Sequence, residues 1–271
     1  MRDGDTPGGS RSGHEPLSPA DLGAVAQVFV DDLDELRVTP DDEHHLAQVL
    51  RLRPGETVVA SDGEGRWRLC RFTGSATRSA PRAPMLEADG PVLTSARVSP
   101  EVTVAFVPVK GGRPEWVVQK LTEAGVDRIV VLPSLRAVVR WEGARRTKAI
   151  DRLRRVAREA AAQSRRSLLP EVVGVDDLDE LSTRLAPVPL ALAQHGGDPP
   201  NLQAPAVAVG PEGGWDSSET GSGRPLVGLG PQVLRAETAA VAAGLLLCAL
   251  REGLVGPARD PGDRSRQGTD T

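Results

Sequence analysis

The chain has 271 residues, 39% of them hydrophobic, and a formal charge of -4: enough apolar content for one or two cores, and too acidic for a uniformly basic nucleic-acid binder. Its two cysteines, Cys70 and Cys248, suggest neither a disulfide framework nor a thiolate metal site, which fits a reducing cytoplasm. The N-terminal stretch lacks the apolar core of a signal peptide, and the longest apolar run, Ala239 to Leu250, is too short to span a bilayer.

Residues 1–23 and 256–271 are rich in Gly, Pro, Ser and charge without periodicity, and are expected to be disordered tails. Residues 24–98 read as a small, mostly β domain. Its strand-like runs "AQVFV", "TVVAS" and "RWRLCRF" are separated by turn signals at Arg53-Pro54-Gly55-Glu56 and Asp62-Gly63-Glu64-Gly65. One helix start stands among them: Thr39 can cap, Pro40 suits the first turn, and Asp41, Asp42 and Glu43 favour the positive end of the helix dipole. Leu46, Val49 and Leu50 then share a face. His44 and His45 point about 100° apart on such a helix and cannot chelate one ion together, so a surface or RNA-facing role is expected of them. The stretch from about 75 to 100 reads as loop, edge strand and linker.

From residue 99 to 255 strands and helices alternate: "VTVAFVPV", a helix from Pro114 to Gly125, "RIVVLP", and a long helix over roughly 146–164. Three more apolar strands, "VPLALA", "AVAVG" and "PLVGLG", precede a final helix expected to start near Val233. This rhythm implies an α/β domain, a parallel sheet covered by helices.

The chemistry concentrates at two strand ends. "AVAVG" runs into Gly210-Pro211-Glu212-Gly213-Gly214, three glycines in five residues, which permit close backbone approach and positive φ angles. The spacing is neither G-x-G-x-x-G nor a G-K-[ST] loop, so the two familiar phosphate cradles fit poorly. "PLVGLG" ends at Leu229-Gly230 and continues as Pro231 to Thr238. Two such ends on one edge of a parallel sheet form the crevice in which open α/β folds bind ligands.

"VAVGPEGGWDSSE" followed by "LGPQVLRAETAAVAA" resembles the bacterial 16S rRNA uracil-N3 methyltransferases of the SPOUT superfamily, the RsmE family. The likeness extends upstream through "HHLAQVLRLRPGE", "KGGRPEWVVQKLTEAGVDRIV" and "REAAAQSRRSLLPEV", in the family's order. The resemblance implies a PUA-like RNA-binding β-barrel before a methyltransferase domain with a C-terminal trefoil knot, a homodimer, and S-adenosylmethionine as methyl donor to N3 of a uridine in the 16S rRNA of the 30S subunit. It assigns the cofactor to Gly210, Pro211, Glu212, Gly213, Gly214, Leu229, Gly230, Leu234, Arg235 and Thr238. For Glu212 and Glu237 the alternative is stabilisation of a helix N-terminus, with function favoured for Glu237 by its "LRAET" block, and for Thr238 a cap or local backbone hydrogen bond is an equal account. The alternatives are a SPOUT enzyme acting on another RNA and a non-catalytic RNA-binding or assembly factor.

Between Arg136 and Arg166 eleven basic residues face three acids, a plausible RNA footprint in an acidic chain. Arg165 or Arg166, in the family block "QSRR", is expected to touch the target nucleotide or its phosphate, and both, with Arg235, to stabilise a developing uridine anion; Glu237 completes the catalytic candidates. No residue announces itself as the general base. His45, Arg51, Arg53, Lys110 and Arg113 are the expected RNA contacts. With 3% aromatic residues and no tyrosine, backbone and phosphate contacts should outweigh base stacking. One departure from the family stands in the first strand, where Gln27 occupies the position of a usual arginine.

Overall fold

The computed structural model describes residues 18–74, 85–111, 113–221 and 223–256. Most of both expected tails, and residues 75–84, lie outside that range. Within the N-terminal tail a 3-10 turn, Pro19–Leu22, is formed, so order begins before residue 24.

The first domain is a five-stranded sheet. Strands β1 (Ala26–Phe29), β2 (Thr57–Ser61), β3 (Arg66–Phe72) and β4 (Leu86–Ala88) lie in that order, with β5 (Leu93–Thr94) also on β3. β1 pairs with β2 in parallel and the other pairs are antiparallel. Helix α1 (Pro40–His44) starts where its sequence places it: the Thr39 hydroxyl accepts the Asp42 N–H at 3.1 Å. It then widens into a π-helical turn, His45–Val49, which rotates later side chains away from the core. Only Leu46 is buried there, while Val49 is 58% and Leu50 41% exposed, so the three do not share a buried face.

The second domain is a six-stranded sheet, every pair parallel. In chain order its elements are β6 (Thr103–Phe106), α2 (Arg113–Glu123), β7 (Arg128–Val131), α3 (Gly143–Gln163), β8 (Glu171–Gly174), α4 (Leu178–Leu185), β9 (Leu190–Asp198), β10 (Ala206–Val209), α5 (Ser217–Thr220), β11 (Leu226–Val227) and α6 (Ala236–Arg251). The strand order is β11-β9-β10-β6-β7-β8. Alternate side chains of the central strands feed two cores. Val104, Phe106, Ile129 and Val207 pack with α2, α3 and α6 on one face; Ala105, Val130 and Ala208 pack with α4 and Trp215 on the other.

Three elements depart from the sequence reading. β8 and α4 were not anticipated, although Asp177 caps α4 through the N–H groups of Asp179 and Glu180, and Leu178, Leu181 and Leu185 form its buried stripe. Helix α6 begins at Ala236 because Arg235 is still extended at φ -65, ψ 152; the residues from Val233 belong to a loop.

The two domains are bonded through the C-terminal end of α3. The Ser61 hydroxyl donates to the Ser167 carbonyl at 3.1 Å. The Arg158 guanidinium donates to the Phe29 carbonyl at 2.8 Å and lies 4.9 Å from the centroid of that ring.

Candidate active site

β10 is buried along its length, and the backbone emerges at its carboxyl end into the glycine loop. Pro211 O accepts the Gly214 N–H at 2.8 Å, closing a tight turn that needs the positive φ of +70° at Gly214. The loop folds back as Trp215, 6% exposed, donates its indole N–H to Ala193 O of β9 at 3.2 Å. A side chain at Gly210 would place its Cβ 3.0 Å from that indole. Asp216 then caps α5 reciprocally with Glu219, and bonds from Ser218 hold the Asp216 carboxyl below its usual pKa.

The second wall comes from β9 and the segment after β11, whose backbones touch at Gly197 and Gly228. A Cβ on Gly197 would lie 2.7 Å from the Val227 carbonyl carbon, and one on Gly228 would lie 2.5 Å from Gly197 O. Beyond that crossing Gly230 takes φ +140°, and His195 Nε2 lies 3.1 Å from Pro231 O. The first turn of α6 contributes Ala236 and Ala239.

These walls enclose a cavity of about 240 Å³. Of the residues expected at a cofactor, Gly210, Pro211, Glu212, Gly214, Leu229, Gly230 and Leu234 line it. Gly213, Arg235 and Thr238 do not. Gly213 turns outward, its carbonyl accepting from Arg136 at 3.4 Å, and Arg235 and Thr238 are exposed at the start of α6. Sequence reasoning missed Gln194, His195 and Trp215; only the Trp in "GPEGGW" carried a signal, as an aromatic beside a glycine turn.

At the rim, Arg113 Nη1 lies 3.3 Å from Glu212 and 3.5 Å from Glu237. Glu237 is nearly buried, with its side chain 13% exposed and Oε2 unpartnered among the described residues. Arg113, expected to contact RNA, is thus spent on two carboxylates at the pocket mouth. Lys110, His45, Arg51 and Arg53 are all exposed, the last three on the first domain.

Arg165 and Arg166 are not at this pocket. Arg165, at φ +59°, donates to Ala162 O, Ala24 O and Val25 O at 3.0, 3.2 and 2.7 Å. Arg166 donates to Thr122 O at 3.1 Å and Asp127 at 3.4 Å, and desolvation lowers its pKa. Asp127 also binds Arg251 at the end of α6. Since Asp127 immediately precedes β7, this network sits at the amino edge of the sheet, whereas Gly210 follows β10 at the carboxyl edge. The reason is geometric: α3 runs antiparallel to the strands, so its C-terminal block ends on the far side. Gln27 belongs to the same junction, its amide donating to Arg166 O at 2.8 Å.

A larger cavity, about 680 Å³, opens at the carboxyl ends of β6, β7 and β8. Five carboxylates (Glu142, Asp176, Asp177, Asp179, Glu219) outnumber its three guanidinium groups (Arg140, Arg146, Arg224), which disfavours a phosphate.

A parallel α/β domain with a glycine-walled pocket at its carboxyl edge, joined to a small β domain, matches one class of protein. The family profile of the RNA methyltransferase domain matches residues 97–247, and that of the RNA methyltransferase PUA domain matches residues 38–80. A ribosomal RNA small subunit methyltransferase E of Mycobacterium bovis is 36% identical over 82% of this chain and 86% of its own length. A Legionella pneumophila chain described as a methyltransferase in complex with the cofactor SAM superposes with TM-score 0.68 at 26% identity, over 82% of this chain and 96% of that one. A ribosomal RNA small subunit methyltransferase E of Neisseria gonorrhoeae shares the fold, with TM-score 0.64 at 24% identity over 84% and 97% of the two chains. The chain belongs to the ribosomal RNA small subunit methyltransferase E family.

Proposed function

We propose that this protein transfers the methyl group of S-adenosylmethionine to N3 of a uridine in 16S rRNA of the small ribosomal subunit. The observation that carries the reading is the pocket where the 210–216 and 229–234 loops meet. The residues fit the cofactor: Gly214 and Gly230 leave space that side chains would fill, Gly210 lets the Trp215 indole close against the loop, and Val209, Leu229 and Leu234 offer apolar contact to a flat base.

When bound, the cofactor supplies an activated methyl group on sulfur. The protein's task is to hold the uridine in line with it, and such positioning is worth up to roughly 7–11 kcal/mol of barrier. N3 must also lose its proton, so the uridine becomes anionic as it reacts. Among the catalytic candidates Arg235 and Glu237 lie at the start of α6 beside the pocket, and Arg113 is paired to Glu237. Charge stabilisation is therefore assigned to Arg235, beside the Arg113–Glu237 pair, and not to Arg165 or Arg166 of the same protomer.

The domain division at residues 24–98 and 99–255, a C-terminal trefoil knot and a cytoplasmic location belong to this reading. So does a homodimer, supported by an outward stripe on α6 in which Leu245 is 52% exposed and Val241, Ala242 and Ala249 are half-exposed. Among the described residues no helix is long and apolar enough to cross a membrane. The test is to incubate the protein with methyl-labelled donor and 30S subunits lacking the modification. Label is expected in 16S rRNA, and label in tRNA alone would move the substrate to another RNA.

A further inference from the structure

The eleven basic residues between Arg136 and Arg166 do not form one patch, because most are engaged. Arg136 pairs with Asp216, Arg146 with Asp176, Arg152 with Glu115 and Arg154 with Asp151. Arg158 and Arg165 bind backbone carbonyls at the domain junction, and Arg166 is nearly buried. What remains on α3 is Arg145, Lys148 and Arg155, all exposed and, among the described residues, without an ion-pair partner.

These three share a face. At 100° per residue, Lys148 and Arg155 lie within about 20° of each other, and Arg145 is about 60° from Lys148. The opposite face carries Ile150, Leu153, Ala157 and Ala160, which are buried. From Arg145 to Arg155 the free charges run along about 15 Å of helix. At one end Arg155 is a turn from Arg158, which lies 3.8 Å from Asp42, so the row begins beside α1 of the first domain. At the other end Arg140, exposed and without an ion-pair partner among the described residues, stands with the N-terminus of α3 at the carboxyl edge of the sheet, on the rim of the larger, carboxylate-lined cavity.

We propose that Arg145, Lys148 and Arg155 form a phosphate-binding track that leads an RNA strand along α3, from the PUA domain to the edge of the sheet that holds the pocket. The inference rests on the reading of the protein as an rRNA enzyme. A polyanion fits because, although Asp151 and Glu159 lie on the same side of α3, none of the three cations has a carboxylate within ion-pair distance among the described residues, and Asp151 is already held by Arg154, so each can exchange its counterion for a phosphate. The track reads no sequence; it sets register and direction.

The test is the Arg145→Ala/Lys148→Ala/Arg155→Ala variant, with Arg184→Ala on α4 as a control for the loss of a surface arginine that is already paired, here with Glu180. Binding to 16S rRNA would be measured across salt concentrations, alongside calorimetric titration with S-adenosylmethionine. The triple variant should bind rRNA at least about tenfold more weakly, with a salt slope shallower by about 2, raise KM for 30S subunits, and leave kcat and donor affinity unchanged. The control should match wild type. Equal affinity and slope in wild type and triple variant would overturn the track even if methyl transfer proceeds. If wild type binds rRNA through these residues yet transfers no methyl group, the enzymatic reading fails and the track stands. Absence of rRNA binding by wild type would end both.

Discussion

At the scale of single residues the glycines separate into distinct jobs. Gly230 holds φ +140° at the pocket wall with nothing near an added Cβ, so a substitution there is opposed by backbone strain and not by a neighbour. Such strain costs about 1–3 kcal/mol, and Gly230→Val should weaken S-adenosylmethionine binding by about 10- to 100-fold in a calorimetric titration. Gly213 lies outside the cavity, and its added Cβ would meet only Arg136 Cβ at 3.8 Å. Gly213→Ala should therefore change donor binding by less than about 0.5 kcal/mol. A large loss at Gly213 with none at Gly230 would place the cofactor elsewhere. The sequence shows a cluster of glycines but not which of them face inward, because that depends on the turn closed by Pro211 O and Gly214 N–H and on the indole of Trp215.

At the scale of elements, the C-terminal end of α3 is a structural joint. Arg166, Asp127 and Arg251 connect α3, the start of β7 and the end of α6 with little solvent access: the Arg166 and Arg251 side chains are 14% and 5% exposed. Removing one partner of a buried pair typically costs about 3 kcal/mol, so Arg166→Ala should lower the urea midpoint by an equivalent amount while donor affinity stays at the wild-type value. Undiminished stability with lost methyl transfer would instead return Arg166 to the catalytic list. The strands β1, β2, β3, β6, β7 and β10 and the helices α2 and α3 were legible because each carries its own apolar period and turn signals. β8 was not, since a four-residue edge strand has too short a pattern. The placement of "QSRR" was hidden for another reason. The motif is local, but which edge of the sheet it reaches follows from the antiparallel run of α3.

At the scale of the whole molecule, each domain carries one buried thiol. Burial raises both Cys70 and Cys248 from 9.0 to about 11. The folded state thus keeps protons that the unfolded chain releases, and this contribution to stability is present below about pH 9 and lost as pH rises to about 11. Denaturant midpoints should fall across that window, and less steeply in a Cys70→Ala/Cys248→Ala variant; equal slopes would contradict the assignment. The two-domain plan was legible from the change of rhythm near residue 100, whereas the bonds joining the domains were not, because they pair residues more than a hundred positions apart, as Gln27 with Arg166. The activity of the whole molecule depends on the pocket between Gly210 and Leu234. The most direct measurement is mass-spectrometric mapping of 16S rRNA after 30S subunits lacking the modification are incubated with the protein and S-adenosylmethionine. One added methyl group on N3 of a single uridine is the result expected. A methyl group on a ribose, on another base, or on no nucleotide of the subunit would contradict it.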